Sequence, residues 1–267
     1  MLTSADNLEL DKACKLAKSI ADEASLRMVK RFTSDLKIFN KANASDVVSE
    51  LDQQIEQHVK QKVSEHFPSH SVLGEEFGGG IDQSKWLWIV DPIDGTQNYV
   101  KGIKFCCFSL AICFKGIPVF GIVVDPFQED IYVARKGAGS SCNGKGISVR
   151  KGLGLQGSVI LLELANGDPW SDFDMFTRNL SRKESTSRIL GSSALSLAYV
   201  ASGKADGVVL DEMNVWDIAA GTLLVEEAGG IVNTWRGERF QLFKGGGLYG
   251  GSQNVVQELL TLSQSSN

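Results

Sequence analysis

Residues 86–100 read WLWIVDPIDGTQNYV. Five apolar residues, Trp86 to Val90, run without a break into Asp91, and Asp94, Gly95 and Thr96 follow at once. An uninterrupted apolar run of this length reads as a buried strand. Pro92 stiffens the turn that follows and Gly95 loosens it. The segment therefore reads as a buried strand whose tip carries two carboxylates three residues apart.

The neighbouring segments define the setting of that strand. HSVLGEE (70–76) reads as a short strand that also ends in two acids, and FGGGIDQSK (77–85) as a loop. Upstream, Leu8, Leu10, Ala13, Leu16, Ala17, Ile20, Ala24 and Met28 recur at helical spacing, which predicts a long amphipathic helix over 5–32. KANASDVVSELD (41–52) begins polar and turn-rich, then passes into a second helix through Ile55, Val59 and Val63 to His66, with Pro68 ending it. Downstream, Phe105 to Val149 alternates apolar runs with turn signals such as Lys115-Gly116, the pattern of an antiparallel meander. A strand over 158–165 and a connecting helix within 166–183 come next. Then follow strand, glycine, helix (about 193–202) and strand across 187–210. VWDIAAGTLLVEEAGG (215–230) reads as a helix stopped by Gly229-Gly230, with a last strand in GGIVNTW. Helices and strands in this mixed order predict a layered α/β protein with mixed sheets.

Composition narrows the function. The chain has 267 residues, 43% hydrophobic and 22% charged, with a formal net charge of −5. The absence of a dominant basic character argues against a general affinity for nucleic acid or anionic membranes. No apolar run approaches the roughly 18 residues of a membrane span. The N-terminus, MLTSADNLELDK, lacks the layout of a signal peptide. Cys14, Cys106, Cys107, Cys113 and Cys142 are odd in number and form no CxxC pair, so they read as buried structural thiols in a reducing compartment. The expectation is a soluble cytoplasmic protein.

Glu75, Glu76, Asp91, Asp94 and Asp217 all stand where a strand ends or a helix begins. Singly each is ordinary: DxxDG is a common turn, and Asp217 could simply be the N-cap of its helix. Together at one place they would repel and require cations, and oxygen-only ligands favour Mg²⁺, Ca²⁺ or Mn²⁺ over zinc. His58, His66 and His70 lie on or just after one helix, without the spacing of a metal triad. Two aspartates three residues apart can serve two ions, with the Ile93 carbonyl facing the same way, and the amides of Gly95 and Thr96 can receive an anion. Cations beside an anion-accepting turn describe a site for phosphate-ester hydrolysis.

GEE (74–76), WIVDPIDGTQN (88–98) and WDIAAGTLLVEEAGG (216–230) resemble, in order and separation, the signature blocks of the inositol monophosphatase family. These are magnesium-dependent, lithium-sensitive phosphatases. DVVSELD (46–52) and GSSALSLAYVASGKADG (191–207) extend the resemblance over nearly the whole chain. It implies an α-β-α-β-α sandwich of sugar-phosphatase type, one domain over 1–267 with lobes of roughly 1–150 and 151–267. It also implies a homodimer, for which the apolar meander from Phe105 to Phe127 offers material. Glu75, Asp91, the Ile93 carbonyl, Asp94 and Asp217 would hold two or three Mg²⁺ ions. Thr96 would hydrogen-bond the attacking water with Asp52 behind it, and Glu75 would share in catalysis. Asp94, Gly95, Thr96, Gly191, Ser192, Ser193 and Asp217 would contact a small-molecule phosphate ester, Lys41 would shield the phosphate, and Glu76 would stand behind the ligands.

One departure concerns substrate choice. Inositol-specific members commonly carry a glutamate seven positions before the WD aspartate, and here that position is Leu210. Asp211 and Glu212 are adjacent and could stand in. Gln97, where many members have threonine, is expected to face away from the metals. Myo-inositol monophosphate is the favoured substrate and histidinol phosphate the next. Fructose 1,6-bisphosphate, NADP and adenosine 3′,5′-bisphosphate follow, and would need cations such as Arg182, Lys183 and Arg188 beside the site. The alternative of another class is a regulatory binding protein on the same fold.

Overall fold

The computed structural model describes residues 2–40, 47–81, 85–152, 154–164 and 170–264. Helix α1 (Ser4–Arg31) starts at a capping box in which Thr3 and Asp6 exchange hydrogen bonds, and it buries Leu10, Ala13, Ala17, Ile20, Ala24 and Met28 along one stripe. A short antiparallel pair, β1 (Ile38–Asn40) with β2 (Val47–Ser49), leads into α2 (Glu50–His66). A second capping box, Ser49 with Asp52, starts α2.

The first sheet has seven strands in sequential order: β3 (Ser71–Gly74), β4 (Trp86–Asp94), β5 (Cys107–Phe114), β6 (Ile117–Asp125), β7 (Asp130–Arg135), β8 (Gly139–Cys142) and β9 (Lys145–Gly146). Only β3 and β4 run parallel; the rest form the expected antiparallel meander. Strand β4 explains its own sequence. Trp88 and Val90 join the core beneath α1 and α2, while Leu87 and Ile89 join the core on the other face. Both faces are covered, so no position on the strand needs to be polar until its tip.

The second sheet has five strands in the order β11-β10-β12-β14-β13: β10 (Val159–Glu163), β11 (Thr186–Arg188), β12 (Gly207–Leu210), β13 (Ile231–Thr234) and β14 (Leu248–Gly251). Helices α5 (Ser193–Ala201) and α6 (Val215–Glu227) lie between the two sheets, where Leu195, Leu197, Leu223 and Leu224 share one core with Leu87, Ile89, Leu161, Val208 and Leu248. Helices α4 (Phe173–Arg182) and α7 (Gln253–Gln264) cover the outer face through Phe176, Leu180, Val255 and Leu259. The layers are therefore α-β-α-β-α. A five-residue helix, α3 (Thr96–Val100), follows the tip of β4.

Two parts of the chain depart from the sequence reading. Strand β2 occupies part of what reads as polar turn, and it pairs with β1. Strand β14 and helix α7 lie beyond GGIVNTW, the last element read from the sequence; at Gly250 in β14 a Cβ would stand 3.0 Å from Val208. In the Phe105–Phe127 meander, Cys107–Cys113 and Val119–Asp125 are buried in the chain's own cores. The His70 side chain is buried as well: Trp88 Nε1 donates to its Nδ1 at 2.9 Å and Phe67 stacks on its ring.

Gly221 in mid-α6 marks how closely α5 and α6 approach, since a Cβ there would lie 2.6 Å from Leu197 Cβ. Helix propensity alone would make Gly221→Ala stabilising by about 1 kcal/mol. Overpacking outweighs it, so the variant should lose about 1–3 kcal/mol in urea unfolding. A gain in stability would show that the two helices have room to separate.

Candidate active site

Four chain segments converge at one end of the sheets, and each is fixed locally. The first follows β3. The carboxylate of Glu56, on α2 and fully buried, accepts the amide N–H groups of Glu76 at 2.7 Å and Phe77 at 3.1 Å, and Lys60 pairs with it at 2.9 Å. A Cβ at Gly74 would collide with the Glu56 carboxyl group, so only glycine lets the strand end against this anchor. The turn so held presents Glu75 to the site.

The second segment is the tip of β4. Its pairing with β5 shifts register between Asp91 and Asp94, a bulge around Pro92 that re-aims both side chains. Asp91 Oδ1 accepts the Ile93 amide at 3.1 Å. Gly95 takes the left-handed conformation (φ +88), and a Cβ there would meet the Gly191 carbonyl at 2.9 Å. The Thr96 hydroxyl has two acceptors in reach, the Ile93 carbonyl at 2.8 Å and Asp52 Oδ1 at 3.2 Å. Asp52 Oδ2 is occupied by the Ser49 amide and hydroxyl at 2.9 and 2.5 Å.

The third segment, 190–194, closes from the other sheet. Asp94 accepts from Ser192 Oγ at 2.5 Å, Ala194 N at 2.7 Å and Ser193 N at 3.3 Å, which docks its carboxylate onto the start of α5. Asn98 Nδ2 reaches the Leu190 and Phe105 carbonyls, each at 2.7 Å. The fourth is the start of α6. Asn214 is the N-cap, and Asp217 is its capping-box partner, with Asp217 Oδ2 accepting the Asn214 amide at 2.9 Å. The N-cap role considered for Asp217 thus falls to Asn214, and Asp217 still offers an oxygen to the cluster.

One oxygen each from Asp91, Asp94 and Asp217 lies within 4.8 Å of the other two. They line a cavity of about 340 Å³ together with Glu75, Ile93, Gly95, Thr96, Gln97, Glu163, Gly191 and Ser193. No lysine, arginine or histidine is among the described lining residues. Burial, then the charges of Glu75, Asp94, Asp217 and Asp52, push the Asp91 carboxyl well above the usual carboxylate range. Burial raises Asp94 and Asp52 to about 6 against the hydrogen bonds that each accepts. An oxygen-only, mutually repelling donor set with no described lining cation fits hard divalent ions such as Mg²⁺.

Several sequence-level candidates lie elsewhere. Ser192 is buried and turned onto Asp94, so of the two serines in this segment Ser193 lines the cavity. Asp211 and Glu212 do not line it, and Glu212 Oε1 lies 3.4 Å from where a Gly245 Cβ would stand. Glu76 is held through its amide and does not line it. Gln97 is among the lining residues. Arg182, Lys183 and Arg188 are exposed and outside the lining. Lys41 lies outside the described residues. Two acids went unread: Glu56 and Glu163. Glu163, 3% exposed, accepts from Ser196 Oγ at 2.7 Å and the Gly191 amide at 2.9 Å. Its signal was present, because VILLE runs apolar residues into an acid just as WLWIVD does.

The chain belongs to the inositol monophosphatase family, whose profile matches residues 6–267. It is 33% identical over 267 residues to Nus factor SuhB of Pseudomonas aeruginosa, covering 96% of this chain and 95% of that protein. It is 34% identical to the fructose-1,6-bisphosphatase/inositol-1-monophosphatase of Thermotoga maritima over 204 residues, 76% and 77% of the two chains. Among solved structures, an IMPase/NADP phosphatase complexed with Mg²⁺ and phosphate superposes with a TM-score of 0.82 at 26% identity, covering 96% of this chain and 95% of the other.

Burial lifts Glu163 from 4.5 to about 7. The native state therefore holds this proton more tightly than the unfolded chain. The benefit is complete below the unfolded value and fades as pH rises towards 7. Glu163→Gln lacks that loss, so in EDTA its stability relative to wild type should improve between pH 5 and pH 8, by at most about 3 kcal/mol. A difference independent of pH would mean that Glu163 titrates normally.

Proposed function

We propose that the protein hydrolyses a small phosphate monoester in an Mg²⁺-dependent reaction, with myo-inositol monophosphate the favoured substrate. The observation that carries this reading is a cavity whose described charged lining is all acidic, with the Thr96–Asp52 pair beside it. Glu75, Asp91, the Ile93 carbonyl, Asp94 and Asp217 would hold the metal. When bound, Mg²⁺ supplies positive charge against the phosphate and makes water a better nucleophile at neutral pH. Thr96 Oγ can accept a hydrogen bond from the attacking water while turning its own proton to Asp52 Oδ1, the Asp52 oxygen that Ser49 leaves open. Burial, which lifts Asp52 to about 6, brings its proton affinity close to working pH.

Selection of the ester would rest on the opposite wall. Gly191 and Ser193 offer small polar surfaces there, and Glu163 supplies the acid. Its register partner on β12 is Leu210, which packs into the core between the sheets. A cavity of about 340 Å³ lies at the small end for ligand sites, which ranks small monoesters above the larger NADP. The second reading, a regulatory binding protein, draws on the whole-length similarity to a relative named as a Nus factor. An acid cluster of this density has no role in a passive scaffold, which favours the enzyme.

Phosphate release with Mg²⁺ across inositol 1-phosphate, histidinol phosphate, fructose 1,6-bisphosphate, NADP and adenosine 3′,5′-bisphosphate separates the readings. Inositol 1-phosphate should be turned over fastest. Asp91→Asn should lose at least about a hundredfold in kcat with its circular dichroism unchanged, the scale expected for one preorganised charge. Release from none of the five would favour the binding protein, and an active Asp91→Asn would remove the site.

A further inference from the structure

A second cavity, about 540 Å³, opens on the C-terminal half of α6. It shares no described lining residue with the acid site. Its walls are Thr222, Leu223 and Glu226 of α6, the β5–β6 turn at Lys115–Pro118, Lys136 after β7, Val232 of β13, and residues 239–244. Asp217 and Glu226 stand on the same helix, roughly 14 Å apart along its axis at the usual rise per residue.

The chemistry of this cavity is the reverse of the first. Its floor is apolar, with Leu223, Val232, Phe240 and Leu242 buried. Its described lining includes Lys136, Arg239 and Lys244 against a single carboxylate, Glu226, which Arg239 pairs at 3.0 Å; Lys115 also lines it, with its ammonium 5.3 Å from the Phe114 ring. This concentration of positive charge stands on a chain whose formal net charge is −5.

The geometry points to a second binding site, for a small anionic amphiphile: an aromatic or short-chain body bearing a carboxylate, sulfonate or phosphate. The apolar part would lie on Leu223, Val232, Phe240 and Leu242. The anionic group would meet Lys136 and Lys244, whose positive field draws it in.

Anilinonaphthalene sulfonate, an aromatic body with one sulfonate, is the probe, and its fluorescence reads binding without reference to the proposed hydrolysis. Wild type should show one saturable class of site. The affinity should fall about tenfold or more in a Lys136→Glu/Lys244→Glu double variant, as expected when rim cations are reversed. It should be unmoved by saturating Mg²⁺ without phosphate, which would load only the acid site. No saturable binding, equal affinity in the double variant, or displacement by Mg²⁺ alone would each overturn the assignment.

Discussion

Carboxylates forced together out of water are the constraint to which the rest of the structure answers. Asp91 is 1% exposed and feels the charges of Glu75, Asp94, Asp217 and Asp52. Repulsion of this kind is relieved either by protonation or by cations, and the donor set favours small hard ions. Asp91, Asp94 and Asp217 are each anchored by hydrogen bonds, so the cluster cannot relax by letting these side chains swing outward. Asp94 is the clearest case. Three donors at the start of α5 hold its carboxylate, and the same bonds join the first sheet to the helical middle layer.

The five-layer arrangement makes this convergence possible. Helices α5 and α6 are covered by a sheet on either side, so their starts face the tip of β4 and the end of β10. Close approaches are then met by glycine where a side chain would collide: Gly74 against Glu56, and Gly95 against the Gly191 carbonyl. Glu56 never reaches the cavity, yet it sets the turn that carries Glu75. Glu163 plays the corresponding part on the Gly191 side. The site is thus a set of acids held by further polar groups, which is how charged constellations keep their geometry.

What could be read in the sequence was what local pattern dictates. The periodicity of α1 and α2, the unbroken apolar run of β4, the meander and the helices around Ser193 and Asp217 all announce themselves in spacing. Acids that terminate apolar runs could be read for the same reason. Features set by long-range packing could not. The glycine-rich stretch before α7 contains a strand only because β12 and β13 pair with it on either side, and Gly250 has little room for a side chain. Glu56 sits inside a polar helical pattern and gives no sign that it is fully buried. Asp211 and Glu212 lie next to Leu210 in sequence, but the chain leaves the cavity after β12 and takes them with it.

If hard divalent cations hold Asp91, Asp94 and Asp217 together, anomalous diffraction from crystals grown with Mn²⁺ tests it most directly. A peak at coordination distance from oxygens of all three aspartates is the expected result. A map with no peak in that pocket, or with Mn²⁺ only elsewhere on the chain, would contradict it.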